Sequence, residues 1–162
     1  YGCSQIELCS RGQLQRSFLI QFPLDKIPAG MRITNATLVL PCILVHPENT
    51  GMRLVARRIV ADWGPGVSYQ FRRTRPEKIA WTQPGAAAAG VDRAARLTAT
   101  AKPQKAGDFE LTVTEDVELW YSQAAANHGW VISLDDAVGI MRFRSPMWEP
   151  GNWKLRITYE PQ

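Results

Sequence analysis

Alternation of apolar and polar residues at every second position recurs in short segments along the chain. Runs of this kind lie at Ser4–Leu8, Phe18–Phe22, Ala36–Cys42, Met52–Arg57, Phe109–Val113, Met141–Arg144 and Trp153–Tyr159. Successive side chains of a strand point to opposite faces, so this pattern is typical of half-buried strands. Turn-forming Pro and Gly residues separate the runs, as at 27–30, 64–66 and 149–152. Together they predict an all-β, jelly-roll-like antiparallel sandwich.

One segment, residues 115–127, has helical spacing instead. Its apolar positions recur at i, i+3, i+4 and i+7, and they are Val117, Trp120, Tyr121 and Ala124. We expect Thr114 to be the N-cap and Gly129 to end the helix in the left-handed conformation. A second stretch, between Pro84 and Gly107, is rich in Ala and Gly and has little periodicity. It predicts a long surface loop, either mobile or occupied by a partner.

Composition sets the domain count and the class of partner. A chain of 162 residues with 45% apolar and 21% charged residues fits one folded domain, residues 1–162. No apolar run approaches the ~20 residues that cross a bilayer, so we expect no direct membrane span. The net charge of +4 favours acidic partners such as acidic glycans. Because no run of five or more basic residues occurs, we expect no nucleic-acid partner.

The order of several motifs resembles a known family. The segment Arg16–Gly30, with Ser17-Phe18-Leu19-Ile20-Gln21-Phe22 and Ile27-Pro28-Ala29-Gly30, resembles the "R-x-L-L-R-F-D-L-S-x-I-P-x-G" opening of DNRLRE-type domains. These domains are similar to disaggregatase-related and family-96 carbohydrate-binding modules. Further matches follow in order at Ile33–Leu38, Trp63, Trp81, Val117–Trp130, Phe143–Ser145 and Leu155–Tyr159.

The resemblance implies a jelly-roll β-sandwich on secreted or cell-surface proteins, and hence an extracytoplasmic location. It carries no catalytic set. Tyr1-Gly2 resembles the "N-Y-G" that follows the family's first strand, so that strand is expected upstream of residue 1. The chain departs from the family at Gln21-Phe22-Pro23 and Ser145-Pro146-Met147, and residues 69–78 look like an insertion. These departures bear on ligand specificity more than on the fold.

Two groups of residues are candidates for ligand binding. Trp148 is out of register with every core face and is the best candidate for an exposed aromatic platform. A compact basic and aromatic loop contains Tyr69, Arg72, Arg73, Arg75 and Lys78. Guanidinium groups bind carboxylate or phosphate with two parallel hydrogen bonds, so this loop suits an acidic glycan or an acidic protein surface. The alternative for this loop is a solvated surface without a ligand.

Catalytic and metal chemistry find little support in the sequence. The adjacent acids Asp135 and Asp136 would point to opposite faces of a strand, whereas hydrolysis needs two converging carboxylates. His46 and His128 lie in turns without an accompanying nucleophile motif. We therefore expect no enzyme and no cofactor, although loop oxygens could hold a structural Ca²⁺.

The three cysteines leave two alternatives open. Cys3 and Cys9 lie six residues apart in one predicted strand, about 20 Å at 3.3 Å per residue, which is too far for a mutual disulfide. Either of them could bridge to Cys42 or to the segment expected upstream of residue 1. Three unpaired thiols, with Cys42 as a small core residue, are the other reading.

The sequence is therefore compatible with two functions. The first is a non-catalytic binding module, with acidic polysaccharide as the expected ligand. The second is a structural or accessory subunit of a larger extracellular or periplasmic assembly, with neighbouring protein subunits or domains as partners.

Overall fold

The computed structural model describes residues 4–11, 14–47, 51–135, 138–146 and 152–162. Twelve strands and one helix make up this part of the chain. They are β1 (Gln5–Arg11), β2 (Leu14–Arg16), β3 (Phe18–Ile20), β4 (Met31–Pro47), β5 (Arg53–Arg58), β6 (Phe71–Arg73), β7 (Ile79–Ala80), β8 (Ala99–Ala101), β9 (Gly107–Thr112), α1 (Thr114–Tyr121), β10 (Trp130–Asp135), β11 (Gly139–Arg144) and β12 (Lys154–Pro161).

The strands form two stacked antiparallel sheets and a small hairpin. The larger sheet has the order β12-β4-β11-β1-β2, with β9 also paired to β4, and the smaller has the order β3-β10-β5-β8. The hairpin consists of β6 and β7. Consecutive strands cross repeatedly from one sheet to the other, as β8 to β9, β9 to β10 and β10 to β11 do. The predicted all-β sandwich with a single short helix is confirmed.

The main core lies between the two sheets, where the alternating residues predicted it. Leu38 and Leu40 of β4 are fully buried, and Trp130 of β10 packs against Trp120 of α1. Trp153, which the alternation placed inside, meets Phe18 edge-on with 4.9 Å between the ring centroids.

A second, smaller cluster of buried side chains covers the outer face of the four-stranded sheet. Val131 lies between the core residues Trp130 and Ile132, so it points away from the main core. It packs with Ile59, Trp81 and Ala86. The last two belong to residues 60–93, which we call the covering segment. This sheet is therefore buried on both faces.

The expected long surface loop between Pro84 and Gly107 is only partly right: outside strand β8 the stretch has no helix or strand, but it is not confined to the surface. Ala86, Ala88 and Asp92 are buried, and Ala99–Ala101 forms strand β8. The segment folds because Asp92 supplies hydrogen-bond acceptors that a periodicity pattern does not show.

The helix is shorter than predicted and starts differently. It runs from Thr114 to Tyr121, and Val113 rather than Thr114 is the N-cap. The Thr114 hydroxyl instead accepts a hydrogen bond from the Ala36 N–H, at 2.9 Å. Gly129 has φ of +72°, but it lies eight residues beyond the helix and serves a close approach to Ile20.

Both cysteines in the described part of the chain are free and buried, namely Cys9 and Cys42. A bridge between them is thereby excluded, while Cys3 lies outside the described residues. Burial raises the pKa of Cys42 above its ordinary value, and backbone hydrogen bonds at Leu44 and Arg142 only partly offset this. Within the described residues, no helix has the length and apolar character needed to span a membrane.

Candidate functional site

A surface groove runs between strand β2 and the covering segment. It has two connected compartments, because both are lined by Gln15, Arg16, Ser17, Tyr69 and Gly85. One compartment, of about 440 Å³, is largely aromatic. The other, of about 320 Å³, is largely polar and charged. We call them the aromatic and the basic compartment of the groove.

The aromatic compartment is lined by four rings from three parts of the chain. They are Phe18, Trp63, Tyr69 and Trp81. The two indoles are held by hydrogen bonds to the main chain: Trp63 Nε1–H donates to the carbonyl of His128 at 2.7 Å, and Trp81 Nε1–H to the carbonyl of Ser68 at 3.0 Å. Each indole N–H is therefore already used, which fixes both rings in place.

Tyr69 is the most exposed of these rings, with 60% of its surface accessible. Its ring lies directly on Gly85, since a Cβ at that glycine would come within 3.0 Å of the ring atom Cε2. The Tyr69 carbonyl also accepts a hydrogen bond from the Gly85 N–H, at 2.6 Å. An exposed ring supported on one face by the backbone offers its other face to a flat apolar surface.

Asp92 holds the covering segment in shape. Its side chain is 1% exposed, and its carboxylate accepts hydrogen bonds from the N–H groups of Thr82, Gln83 and Ala88 at 3.0, 2.9 and 3.3 Å. Burial alone would raise the pKa of Asp92, but these donors outweigh burial and lower the pKa below its ordinary value. The ionised carboxylate thus shapes the turn that carries Gly85.

The basic compartment contains a cation that has no partner among the residues described by the structure. Arg93 lines it and is partly buried, and its guanidinium makes no hydrogen bond or ion pair with the described residues. Burial and the nearby charge of Arg57 lower the pKa of Arg93, and Asp135 partly offsets this. A buried charge of this kind is stabilised when an anion binds beside it.

The other charged groups around the groove form ion pairs. Arg16 and Arg142 both bind Glu7, at 2.6 and 2.9 Å. Arg57 binds Asp135, whose carboxylate also accepts a hydrogen bond from Ser133 at 3.2 Å. Burial would raise the pKa of Asp135, but these contacts and the charge of Arg93 lower it overall.

The balance of charge around the groove is positive. Arg16 and Arg93 line the groove and balance the lining carboxylates of Glu7 and Asp135. Arg142 and Arg57 bind these carboxylates from outside the lining, so the six groups together carry an excess of two positive charges. Arginines bind both carboxylates, and the lowered pKa of Asp135 keeps that carboxylate ionised near neutral pH.

The structure brings only one of the described predicted site residues into the groove, and that residue is Tyr69. Arg72 and Arg73 both bind the carboxylate of Asp62, and Lys78 lies 4.2 Å from the centre of the Phe71 ring. Arg75 is exposed on the turn that joins β6 to β7. A binding role for this basic hairpin remains a prediction. The negative charge of Asp62 neutralises part of the positive charge of Arg72 and Arg73.

The remaining candidates do not add to the groove chemistry. Trp148 and Asp136 lie outside the described residues. The carbonyl of His128 holds Trp63, and His46 is exposed in β4. In the ranges that the structure describes, no three His, Cys, Asp or Glu side chains cluster so as to hold a metal ion.

The groove joins residues that the sequence did not connect. Arg16 and Arg93 come from distant parts of the chain and both line the basic compartment. One signal pointed to a covered sheet: Leu54-Val55-Ala56 and Trp130-Val131-Ile132 are unbroken apolar runs, typical of strands buried on both faces.

Fold and groove together define a β-sandwich protein with a surface groove lined by aromatic and basic side chains. No family model, curated protein or solved structure matches this chain significantly.

Proposed function

We propose that the chain is a non-catalytic, extracytoplasmic module that binds acidic polysaccharide in the groove. The observation that carries this proposal is Arg93, which has no partner among the described residues and lines the basic compartment together with the exposed Tyr69. A sugar ring has an apolar face that packs on an aromatic ring, and a carboxylate on the same polymer matches a guanidinium fork. The resemblance to DNRLRE-type domains supports both the module and its location.

The shape of the groove suits a chain rather than a single small molecule. Its two compartments continue into each other past Tyr69 and Gly85, so neighbouring units of a polymer can occupy them together. The hydroxyls of Ser10, Ser17 and Ser133 line the basic compartment. They offer hydrogen bonds of the kind that orient a polar ligand.

The test is affinity electrophoresis and calorimetry with a soluble polyuronate and with the same polymer after reduction of its carboxyl groups. We expect the wild-type protein to bind the polyuronate, and Tyr69→Ala and Arg93→Gln each to weaken binding about tenfold or more. Loss of one charge-assisted hydrogen bond of about 1.5–3 kcal/mol accounts for the effect at Arg93. Arg93→Gln should bind both polymers alike, because it lacks the group that recognises the carboxylate.

Two variants serve as matched controls. Arg96→Gln removes an exposed arginine paired with Glu115, and Arg75→Gln removes one from the hairpin that contains β6 and β7. Neither should change binding by more than a factor of two. If the polyuronate binds the wild type and Arg93→Gln equally but does not bind Arg75→Gln, the binding site is on the hairpin and not in the groove. Absence of binding to every anionic polysaccharide would overturn the proposal.

A further inference from the structure

Strand β12 is an open edge of the six-stranded sheet. It has eight residues, Lys154–Pro161, and among the described strands it pairs only with β4. A register shift occurs between Thr158 and Tyr159, and the extra residue is Thr34 on β4. Strand β12 itself therefore stays regular along its length. A long regular edge is a template for pairing with another strand.

The main chain of β12 offers hydrogen bonds on its free side. Gln162 N–H donates to the Gly30 carbonyl, so even-numbered residues of this strand face β4. The N–H and C=O groups of successive residues point to opposite sides of a strand. Those of Leu155, Ile157 and Tyr159 therefore point away from β4. Pro161, which lacks an N–H, follows these three positions.

The side chains of β12 divide cleanly between its two faces. One face carries Leu155, Ile157 and Tyr159; the first two pack against the main core, while Tyr159 remains 41% exposed. The other face is polar and exposed, with Lys154 near one end and Glu160 near the other. The ends of this face thus carry opposite charges.

We propose that β12 pairs antiparallel with the same strand of a second copy of this chain, centred on Ile157. In this register Lys154 lies opposite the partner's Glu160, and Glu160 opposite the partner's Lys154. Leu155 lies opposite the partner's Tyr159. Each strand supplies three outward N–H and three outward C=O groups, so the two strands form six hydrogen bonds.

Charge complementarity selects this partner. A two-fold axis through Ile157 places Lys154 opposite the partner's Glu160, a carboxylate that in each chain also binds the exposed Arg32. Opposite charges directly across a strand pair are stabilising. The pairing does not depend on what the groove binds.

The test exchanges the two charges and measures mass by sedimentation velocity over a range of protein concentrations. The wild-type protein is expected to reach twice its 18.2 kDa monomer mass as concentration rises. Lys154→Glu and Glu160→Lys should each weaken the dimer about tenfold, because like charges then lie opposite each other at both ends. The double variant should restore it. Within one strand these residues are about 20 Å apart, so rescue cannot arise inside one chain.

Hydrogen exchange provides the second measurement. The amides of Leu155, Ile157 and Tyr159 should exchange slowly in the dimer and rapidly in Glu160→Lys. The monomer of this variant keeps its fold, because position 160 is exposed and the ion pair with Arg32 that it loses lies on the surface. A wild-type chain that stays monomeric at high concentration overturns the proposal. So does a dimer that neither single variant weakens, since it would use another surface. Slow exchange in the monomer would show that another segment already covers β12.

Discussion

Replacement of Gly129 by alanine is expected to lower the free energy of unfolding by at least about 4 kcal/mol. A Cβ at this position would lie 2.0 Å from the carbonyl oxygen of Ile20 and 2.8 Å from its carbon. Both are backbone atoms of β3, which pairs with β10 directly after Gly129. Relief of the clash would therefore require the two strands to separate. Chemical denaturation of the purified variant measures the loss.

Gly90→Ala is the matched control for backbone strain. Gly90 has φ of +78°, close to the +72° of Gly129, but a Cβ there would meet no atom within 4 Å. It should cost only the ~1–2 kcal/mol of a left-handed alanine. Equal decreases in the free energy of unfolding of the two variants would show that the close approach of Gly129 to Ile20 does not affect stability.

Asp92→Asn is expected to lower the free energy of unfolding by about 3 kcal/mol. It should also weaken binding of polyuronate in the groove, because Asp92 shapes the turn that carries Gly85. The substitution keeps the shape of the side chain but removes the charge and one acceptor oxygen, so one of the N–H groups of Thr82, Gln83 and Ala88 loses its partner on a buried side chain. Unpaired buried donors cost about 1–3 kcal/mol each, more when the bond was to a charge. Thermal and urea unfolding measure the change.

The effect of Asp92 on stability depends on pH in a defined direction. Its folded-state pKa lies below the ordinary value of 3.8. A group with a lowered pKa contributes stability above its unfolded pKa and loses it as the pH falls through its folded pKa. The difference between wild type and Asp92→Asn should therefore be full at pH 6 and shrink below about pH 4.

Asp108→Asn serves as the control, because Asp108 is exposed on β9. Its unfolding free energy should match that of the wild type at pH 6. A difference between wild type and Asp92→Asn that stays constant down to pH 2 would contradict the role given to the ionised carboxylate. Retention of full stability in Asp92→Asn would contradict the role of the hydrogen bonds as well.

Period-two patterning predicted most of the sandwich because it reports burial on one face. Leu38 and Leu40 of β4 and Trp153 before β12 all lie on the predicted inner face. The pattern does not report hydrogen bonds from side chain to backbone. The Thr114 hydroxyl accepts a hydrogen bond from the Ala36 N–H instead of capping the helix. The helix was predicted to end at residue 127, but it ends at Tyr121.

The covering segment was missed for a similar reason. Its order depends on Asp92, whose partners lie four to ten residues away with no repeat that a pattern search would detect. The run Ala86-Ala87-Ala88-Ala89 therefore resembled a surface loop, although Ala86 packs in the second cluster and Ala88 is buried.

The groove could be predicted only in part. Tyr69 was singled out from its local sequence, and it lines both compartments. The neighbouring Arg72 and Arg73 looked free in the sequence, but Asp62, ten residues earlier, binds both. Arg93 gave no signal, because its lack of a partner is a property of the folded chain.

The indole N–H resonances of the six tryptophans test the central claim most directly. In a titration with a uronate oligosaccharide, followed by ¹H–¹⁵N nuclear magnetic resonance, we expect saturable shifts for Trp63 and Trp81. The signals of Trp120, Trp130 and Trp153, which pack in the main core, should stay in place. Shifts confined to these three or to Trp148, or no shift at saturating ligand, would contradict binding in the groove.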